Sequence, residues 1–99
     1  MPIRPRPKPR AGRPRGARSL DAHVAGAFGA VLREARTASG LSQEDFAHIA
    51  QVERSYCSRI ELGKSQPTLF MVMRLAAALG YEASFLVRLV EDALNRRGT

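Results

Sequence analysis

The chain has 99 residues, a formal net charge of +7 and one cysteine. These values suggest a single small domain and exclude an internal disulfide. No apolar run approaches the roughly 20 residues that span a bilayer, and no apolar segment follows the basic N-terminus as it would in a secretion signal. We therefore expect no membrane contact and a cytoplasmic location.

The positive charge lies at the N-terminus. Residues 1–18 alternate proline with basic residues and contain seven of these but no acidic residue, so the remaining nine basic and nine acidic residues cancel. Proline disfavours helix and strand, and nothing in this segment could form an apolar core. We expect residues 1–19 to form a disordered basic arm of polyproline-II character, which indicates a polyanionic partner.

Within the arm, the tetrapeptide G-R-P-R at residues 12–15 resembles the core of an AT-hook, which lies extended in the narrow minor groove of A·T-rich DNA. That groove has the most negative potential of the duplex and attracts arginine. Arg13 and Arg15 are therefore candidate DNA ligands. General attraction to phosphate, or a solvated tail that aids solubility, explains the same charge.

The rest of the chain, residues 20–95, has the periodicity of helices and no strand signal of useful length. The first helix is predicted from about Asp21 to Ala38, capped by Ser19 or Asp21 and ended by Gly40. Its apolar residues repeat at helical spacing on one face: Phe28, Val31, Leu32 and Ala35.

Two short helices joined by a tight turn follow within residues 41–67. Ser42 caps the first of them, and Phe46, Ala47 and Ala50 form its inward face. The second begins near Glu53 and ends at Gly63. Cys57 and Ile60 are predicted to point inward, and the outward residues are Arg54, Ser55, Tyr56, Ser58 and Arg59.

A fourth helix is predicted to start after its cap, Thr68, and to end at Gly80. Its predicted inward residues are Leu69, Val72, Met73, Ala76 and Leu79. The last helix is predicted from Ser84 to Leu94, with residues 96–99 as a tail. Its apolar face is wide, and comprises Phe85, Leu86, Leu89, Val90 and Ala93 with Val87 and Leu94 beside them. Such a helix at the end of a small domain needs a cover, either its own domain or a second subunit.

Several motifs in register resemble the Cro/lambda-repressor, or xenobiotic-response-element, type of helix-turn-helix regulator. They are L-S-Q-E-x-x-A from Leu41, S-R-I-E-x-G-K from Ser58, Pro67, and the apolar run that ends at Gly80. The resemblance covers roughly residues 27–89. It implies an all-α fold, a compact five-helix lambda-repressor-like domain whose third helix enters the major groove of DNA.

The resemblance also implies which residues contact DNA. The reading positions fall on Arg54, Ser55 and Arg59, with Tyr56 beside them for a phosphate or a thymine methyl group. Gln43 falls where the family holds phosphate with a glutamine that also steadies the recognition side chain. Lys64 and Ser65 would reach the DNA backbone from the loop after the third helix; such contacts set position rather than sequence preference.

Other matches and departures concern the scaffold. Arg36 and Glu61 match a family pair that joins the first helix to the end of the third. Gln51 stands where the family commonly has a left-handed glycine, which predicts backbone strain or a different turn. Glu53 replaces the usual serine or threonine cap. Phe70 and Met71 replace polar residues, which predicts either a local repacking or a contact surface.

We therefore expect a sequence-specific DNA-binding transcriptional regulator, of the repressor type, that binds double-stranded DNA near the nucleoid as a homodimer through its last helix. The sequence leaves open an antitoxin, a restriction–modification controller protein, a protein-interaction module that binds a partner protein, and an architectural DNA binder led by the arm. No catalytic constellation and no phosphate-binding loop is visible. His23, His48 and Cys57 make no credible metal set, so we expect neither enzymatic activity nor a cofactor.

Overall fold

The computed structural model describes the backbone of residues 20–98 and the side chains of residues 20–96. The predicted arm, residues 1–19, lies outside the described residues, so its predicted disorder stays a prediction. The described part consists of five helices and contains no strand, which confirms the all-α prediction. The helices are α1 (Ala22–Ala38), α2 (Gln43–Ala50), α3 (Arg54–Glu61), α4 (Leu69–Ala78) and α5 (Ala83–Gly98).

Side-chain oxygens begin three of these helices, as the sequence predicted. The carboxylate of Asp21 accepts two backbone N–H bonds at the start of α1, at 3.0 and 3.1 Å. The hydroxyl groups of Ser42 and Thr68 accept one each, at 3.0 and 3.2 Å. Glu53, in contrast, precedes α3 without a side-chain capping bond. The start of α3 therefore keeps more of its N–H groups available than the starts of α1, α2 and α4.

Four chain reversals use the left-handed backbone region. Gly40, Gly63 and Gly80 have φ angles of 73°, 74° and 76°, and follow the helices that they were predicted to end. Gln51 ends α2 with φ 60° and is the only non-glycine residue with positive φ among residues 20–98. The turn before α3 therefore keeps the left-handed geometry and carries the predicted strain, because a β-carbon is disfavoured there by roughly 1–2 kcal/mol.

One fully buried side chain from each helix meets at the centre of the domain: Leu32, Phe46, Ile60, Leu75 and Leu86. The predicted inward faces of α1, α2 and α3 are confirmed, with Phe28, Ala35, Ala47, Ala50 and Cys57 buried and Val31 half-buried. This shared core fixes the short helices α2 and α3, which could not be stable alone.

The predicted inward face of α4 is partly wrong. Leu75 and Ala76 are buried, whereas Leu69 is 73% exposed and Met73 is 55% exposed. Val72 and Leu79 are half-buried, so the true inward face is rotated from the predicted one. The reason is that α4 is apolar on nearly every side, and apolar spacing then does not select a face.

The last helix is longer than predicted. It continues past Leu94 to Gly98 and includes most of the predicted tail, residues 96–99. Leu86 and Val90 are buried, as predicted, but Phe85 and Val87 are 47% and 41% exposed. The buried side of α5 packs mainly on α1, so a second apolar side of α5 lies open to solvent.

Helices α1 and α3 approach each other backbone to backbone. A β-carbon added at Gly29 would overlap the carbonyl oxygen of Ile60 and lie 2.7 Å from that of Glu61. Because no side chain separates the two helices at this point, α1 fixes the position of the end of α3. The sequence did not predict this contact, since glycine inside a helix carries no periodic signal.

Within residues 20–98, no single helix is long and apolar enough to cross a membrane. The pair formed by α4 and α5 meets the criteria of length and composition only when taken together, and the two helices are bent by 103° at their junction.

Candidate nucleic-acid interface

Helix α3 presents a polar face to solvent. Arg54 and Ser55 at its start and Arg59 near its end are exposed, while Cys57 and Ile60 on the opposite side are fully buried. The Arg54 side chain has no hydrogen bond or ion pair to any side chain or backbone group of residues 20–96. The predicted reading residues are therefore brought together on one accessible face.

Arg59 differs from Arg54 because two neighbouring side chains, Ser65 and Tyr56, contact Arg59. Its Nε donates to the Ser65 hydroxyl oxygen at 3.3 Å, and its guanidinium carbon lies 5.9 Å from the centroid of the Tyr56 ring. Tyr56 was predicted to point outward, but it is half-buried and packs against the core. That burial raises the pKa of the Tyr56 phenol, an effect that nearby Arg59 partly opposes.

A buried ion pair fixes α3 to the rest of the fold. Arg36 Nε and Nη2 donate to the two carboxylate oxygens of Glu61 at 2.6 and 3.0 Å, and Arg36 Nη1 donates to the carbonyl oxygen of Leu41 at 2.7 Å. The hydrogen bond to Glu61 raises the pKa of Arg36 further. Arg36 and Glu61, which match the family pair, are therefore in direct contact. Together with Leu41 they join α1, α3 and the segment before α2.

Gln43 belongs to the same network. It is half-buried at the first position of α2, and its Nε2 donates to Glu61 Oε1 at 3.0 Å. An amide nitrogen carries two N–H donors, so one donor of Gln43 remains for a phosphate. The contact predicted from sequence is compatible with this position, and the structure adds a second role in holding Glu61.

The loop after α3 carries the other predicted backbone contacts. Lys64 is exposed and Ser65 is half-buried. The same loop is tied to the start of α1, because the backbone N–H of Asp21 donates to Gln66 Oε1 at 2.9 Å. Arg13 and Arg15 lie outside the described residues, and the described part of the chain begins beside this loop.

The helix-turn-helix family HTH_3 matches residues 32–86, more than half of the chain. The chain belongs to this family. The match begins inside α1 and ends inside α5, so it includes α2, the strained turn and α3. The chain is accordingly a helix-turn-helix domain of the Cro/lambda-repressor type, and the recognition by motif is confirmed.

Individual relatives agree with this membership. The chain is 33% identical over 61 residues to an uncharacterized HTH-type transcriptional regulator, YonR, of Bacillus subtilis, a match to 62% of this chain and 56% of that protein. The chain thus spans only about half the length of this relative. It is 42% identical to the restriction–modification controller protein C.AhdI of Aeromonas hydrophila, covering 63% of this chain and 94% of that one, with a TM-score of 0.61.

A third relative matches in fold. The clp gene regulator ClgR of Corynebacterium glutamicum superposes with a TM-score of 0.72 over 76% of this chain and 80% of that one, at 21% identity. At this identity the likeness concerns the fold, and it confirms the five-helix arrangement rather than any particular contact.

Sequence reasoning predicted only part of one further surface of this helix-turn-helix domain, as one of two alternatives at Phe70 and Met71. A groove of about 420 Å³ runs between the end of α2 and α4, and Ile49, Phe70 and Met73 line it with exposures of 51%, 63% and 55%. Arg74 crosses it, with its guanidinium 4.8 Å from the Phe70 ring centroid. The unusual Phe70 was the available signal, and its exposure favours a contact surface over repacking.

The remaining chemistry of the described part is sparse. No group of three or more His, Cys, Asp or Glu side chains there could hold a metal ion. Cys57 is buried and free, and burial raises the pKa of its thiol to about 11. Cys57 therefore packs as a small apolar residue and stays protonated at neutral pH.

Proposed function

We propose that the chain is a sequence-specific transcriptional regulator of the repressor type that binds a two-fold related operator as a homodimer. The observation that carries the proposal is the outward face of α3, where Arg54, Ser55 and Arg59 are exposed. An α-helix fits the major groove, and arginine can donate two hydrogen bonds to O6 and N7 of guanine. We therefore expect this face to determine sequence preference.

The rigidity of the scaffold supports this reading role. Sequence discrimination requires that donors on the protein meet base edges within a few tenths of an ångström. The Arg36–Glu61 pair and the backbone contact at Gly29 both hold the end of α3 against α1. A helix held in this way presents its reading residues at a fixed angle.

Contacts to the DNA backbone would come from both sides of α3. Lys64 is exposed in the loop after it, and Gln43 with the first turn of α2 lies before it. The carboxylates of Glu44 and Asp45 are exposed in that same turn and oppose a phosphate there. We therefore expect Lys64 to contribute more than Gln43 to the attraction of DNA phosphate. We expect Gln43 to contribute more to fixing the position of the domain along the DNA.

The arm would extend this contact. The bond between Asp21 and Gln66 places the start of the domain beside the loop that carries Lys64. An extended chain spans at most about 3.3–3.6 Å per residue. Arg15 can therefore reach up to about 18 Å from Leu20, and Arg13 up to about 25 Å, which is enough to pass from one groove into the next.

Titration of a selected duplex and a scrambled duplex at several salt concentrations tests both modes of contact. Arg54→Ala should reduce discrimination at one base pair by about 1–3 kcal/mol and leave the salt dependence nearly intact. Arg96→Ala removes an equal charge from the exposed far part of α5 and is the matched control; it should change neither. If Arg54→Ala weakens all duplexes equally, α3 does not read sequence.

Deleting residues 2–18 tests the arm with the same assay. Each phosphate that the arm neutralises adds about 0.9 to the slope of log affinity against log salt concentration. The deletion should flatten that slope by up to about 6 per subunit and leave the preferred sequence in the major groove unchanged. An unchanged slope would mean that the arm is only a solvated tail.

For the dimer, we propose an interface on the open side of α5 and the start of α4. Leu69, Phe85 and Val87 line a groove of about 750 Å³ there, together with Arg88 and Glu91. The exposures of Leu69, Phe85 and Val87 are 73%, 47% and 41%, which is unusual for apolar side chains that line one groove. A two-fold axis through this face would let Arg88 of each subunit meet Glu91 of the other.

Leu89 does not belong to this face, because it is half-buried in a groove lined by residues of α1. A change at Val87 therefore tests the dimer interface better than a change at Leu89. Val87→Glu should give monomers in sedimentation at tens of micromolar, roughly the range of weak dimers. Ile49→Glu, equally apolar and exposed on the α2–α4 groove, is the control and should leave the dimer intact. An unmodified protein that sediments as a monomer and binds DNA one to one would exclude the interface.

The similarity to C.AhdI favours one variant of the proposed function, the control of restriction–modification genes. Immunoprecipitation of bound genomic DNA distinguishes this variant, which requires a bound site ahead of such genes. Whether or not the regulated genes belong to a restriction–modification system, we propose that the protein binds DNA in the cytoplasm without catalysing a reaction. If the protein shows no preference among duplexes, the α2–α4 groove makes a protein-interaction module the better explanation.

A further inference from the structure

Arg59 is held before any DNA is present. Its Nε donates to Ser65 at 3.3 Å and its guanidinium lies 5.9 Å from the Tyr56 ring, whereas Arg54 on the same face has neither kind of contact within residues 20–96. The two arginines therefore differ in freedom, although their exposure is alike. The restricted freedom of Arg59 comes from its contacts with Ser65 and Tyr56, so these contacts indicate a role for the two residues.

We propose that Ser65 and Tyr56 are positioning residues that fix the direction and the donor edge of Arg59 for reading guanine, rather than phosphate ligands. The proposal rests on the proposed function of α3. A guanidinium has five N–H donors in a planar fork. With Nε on Ser65, the two terminal nitrogens at the tip remain, and these can donate side by side to O6 and N7 of one guanine.

The position of Ser65 is itself fixed by the fold. One residue before it, the backbone N–H of Lys64 donates to the carbonyl oxygen of Arg59 at 2.9 Å. One residue after it, Gln66 is bonded to the start of α1 at 2.9 Å. Ser65 thus stands between two anchored residues, so its hydroxyl group constrains Arg59 instead of following it.

Tyr56 constrains Arg59 from the other side. It lies about one helical turn before Arg59 on α3, the spacing at which side chains on a helix meet, and its body is half-buried against the core. The electron-rich face of an aromatic ring attracts a guanidinium without consuming any of its donors. The contact therefore limits the rotation of Arg59 while leaving its tip free for a base.

A side chain ordered in advance loses less conformational entropy on binding. We therefore expect Arg59 to discriminate its base pair more sharply than Arg54 does. Removing a positioning residue should reduce the preference for guanine at that one pair and leave the number of phosphate contacts, and hence the salt slope, unchanged.

Matched pairs of variants test the proposal through binding to duplexes that differ only at the base pair that Arg59 reads. Arg59→Ala identifies that pair and should reduce its preference about 5- to 150-fold. Ser65→Ala should reduce it about 2- to 10-fold, and Ser65→Thr, which keeps the hydroxyl group, should restore it. Tyr56→Leu should reduce it about 2- to 5-fold, and Tyr56→Phe, which keeps the ring, should not.

Melting temperatures and salt slopes are measured for each variant. Ser65 is not in the core, so the serine pair decides the question even if Tyr56→Leu unfolds the domain. A Ser65→Ala protein that binds all duplexes more weakly by the same factor, with its base preference intact, would show that Ser65 is a phosphate ligand and would overturn the proposal. Tighter binding by Ser65→Ala would also overturn it, because the bond would then be one that DNA must break.

A double variant separates this proposal from the function on which it rests. In an Arg59→Ala background, Ser65→Ala should have no further effect on base preference. If Arg59→Ala itself changes no base preference, reading by Arg59 is wrong. If Arg59→Ala does change it but Ser65→Ala and Tyr56→Leu do not, reading stands and the positioning role is wrong.

Discussion

The ion pair between α1 and α3 gives the sharpest prediction for stability. In Glu61→Leu, the guanidinium of Arg36 would keep only its bond to the Leu41 carbonyl oxygen. In Arg36→Met, the carboxylate of Glu61 would keep only its bond from Gln43. The side chains of Arg36 and Glu61 are 11% and 2% exposed, so water can replace little of what is lost. Breaking a buried pair on one side costs about 3–5 kcal/mol.

We expect Arg36→Met to cost the more of the two, because the carboxylate that it strands is the less exposed charge. Urea unfolding followed by far-ultraviolet circular dichroism measures the loss. For a domain of this size, each kcal/mol lowers the melting temperature by about 4–8 °C, so either variant should lose more than about 12 °C. Glu34→Gln, at an exposed glutamate of α1, is the control and should stay within about 0.5 kcal/mol.

The double variant Arg36→Met/Glu61→Leu should recover most of the loss, since an apolar pair leaves no buried charge. Recovery of folding together with weaker sequence discrimination would show that the pair sets the angle of α3 as well as holding it. The reasoning is refuted if either single variant costs less than about 1 kcal/mol, the value for a solvent-exposed pair.

Three further predictions use the same unfolding measurement. Gln51→Gly should stabilise the domain by up to about 1 kcal/mol by relieving the left-handed strain; no gain would mean that the turn is unstrained. Gly29→Ala should destabilise the domain by about 1–3 kcal/mol, because the added carbon overlaps the carbonyl oxygen of Ile60. Gly26→Ala, where a β-carbon meets nothing within 4 Å, is the control. Burial raises the pKa of Cys57 from 9.0 to about 11, so its contribution to stability is complete below pH 9 and is lost as pH rises through 11. Cys57→Ala should remove that part of the dependence of stability on pH. If the variant and the unmodified protein show the same dependence, this prediction is wrong.

The sequence predicted the parts of the fold in which polar and apolar residues alternate clearly. In α1, α2 and α3, polar side chains mark the outward face, and the buried residues Leu32, Phe46 and Ile60 could be identified from spacing alone. In α4 almost no polar residue marks a face, and the position of Leu75 could be determined only by packing against the other helices. The contact at Gly29 was equally inaccessible, because two backbones that meet leave no pattern in either helix.

The site was predicted unevenly for a similar reason. Family motifs located Arg54, Arg59 and the Arg36–Glu61 pair, which occupy defined positions along the chain. The motifs did not indicate that Ser65 would contact Arg59 or that Gln66 would contact the start of α1. Both contacts depend on the path of a loop, and that path is set by tertiary contacts rather than by local residue preference.

The small buried fraction of α3 makes this helix open to redesign. Of its eight residues, only Cys57 and Ile60 are fully buried, so with the reading role that we propose for α3, operator preference can be changed at Arg54 and Ser55 without repacking the core. Arg59 cannot be exchanged as freely, because its direction depends on two neighbours. A library for altered specificity should vary Arg54 and Ser55 independently, and should vary Arg59, Tyr56 and Ser65 as one linked set.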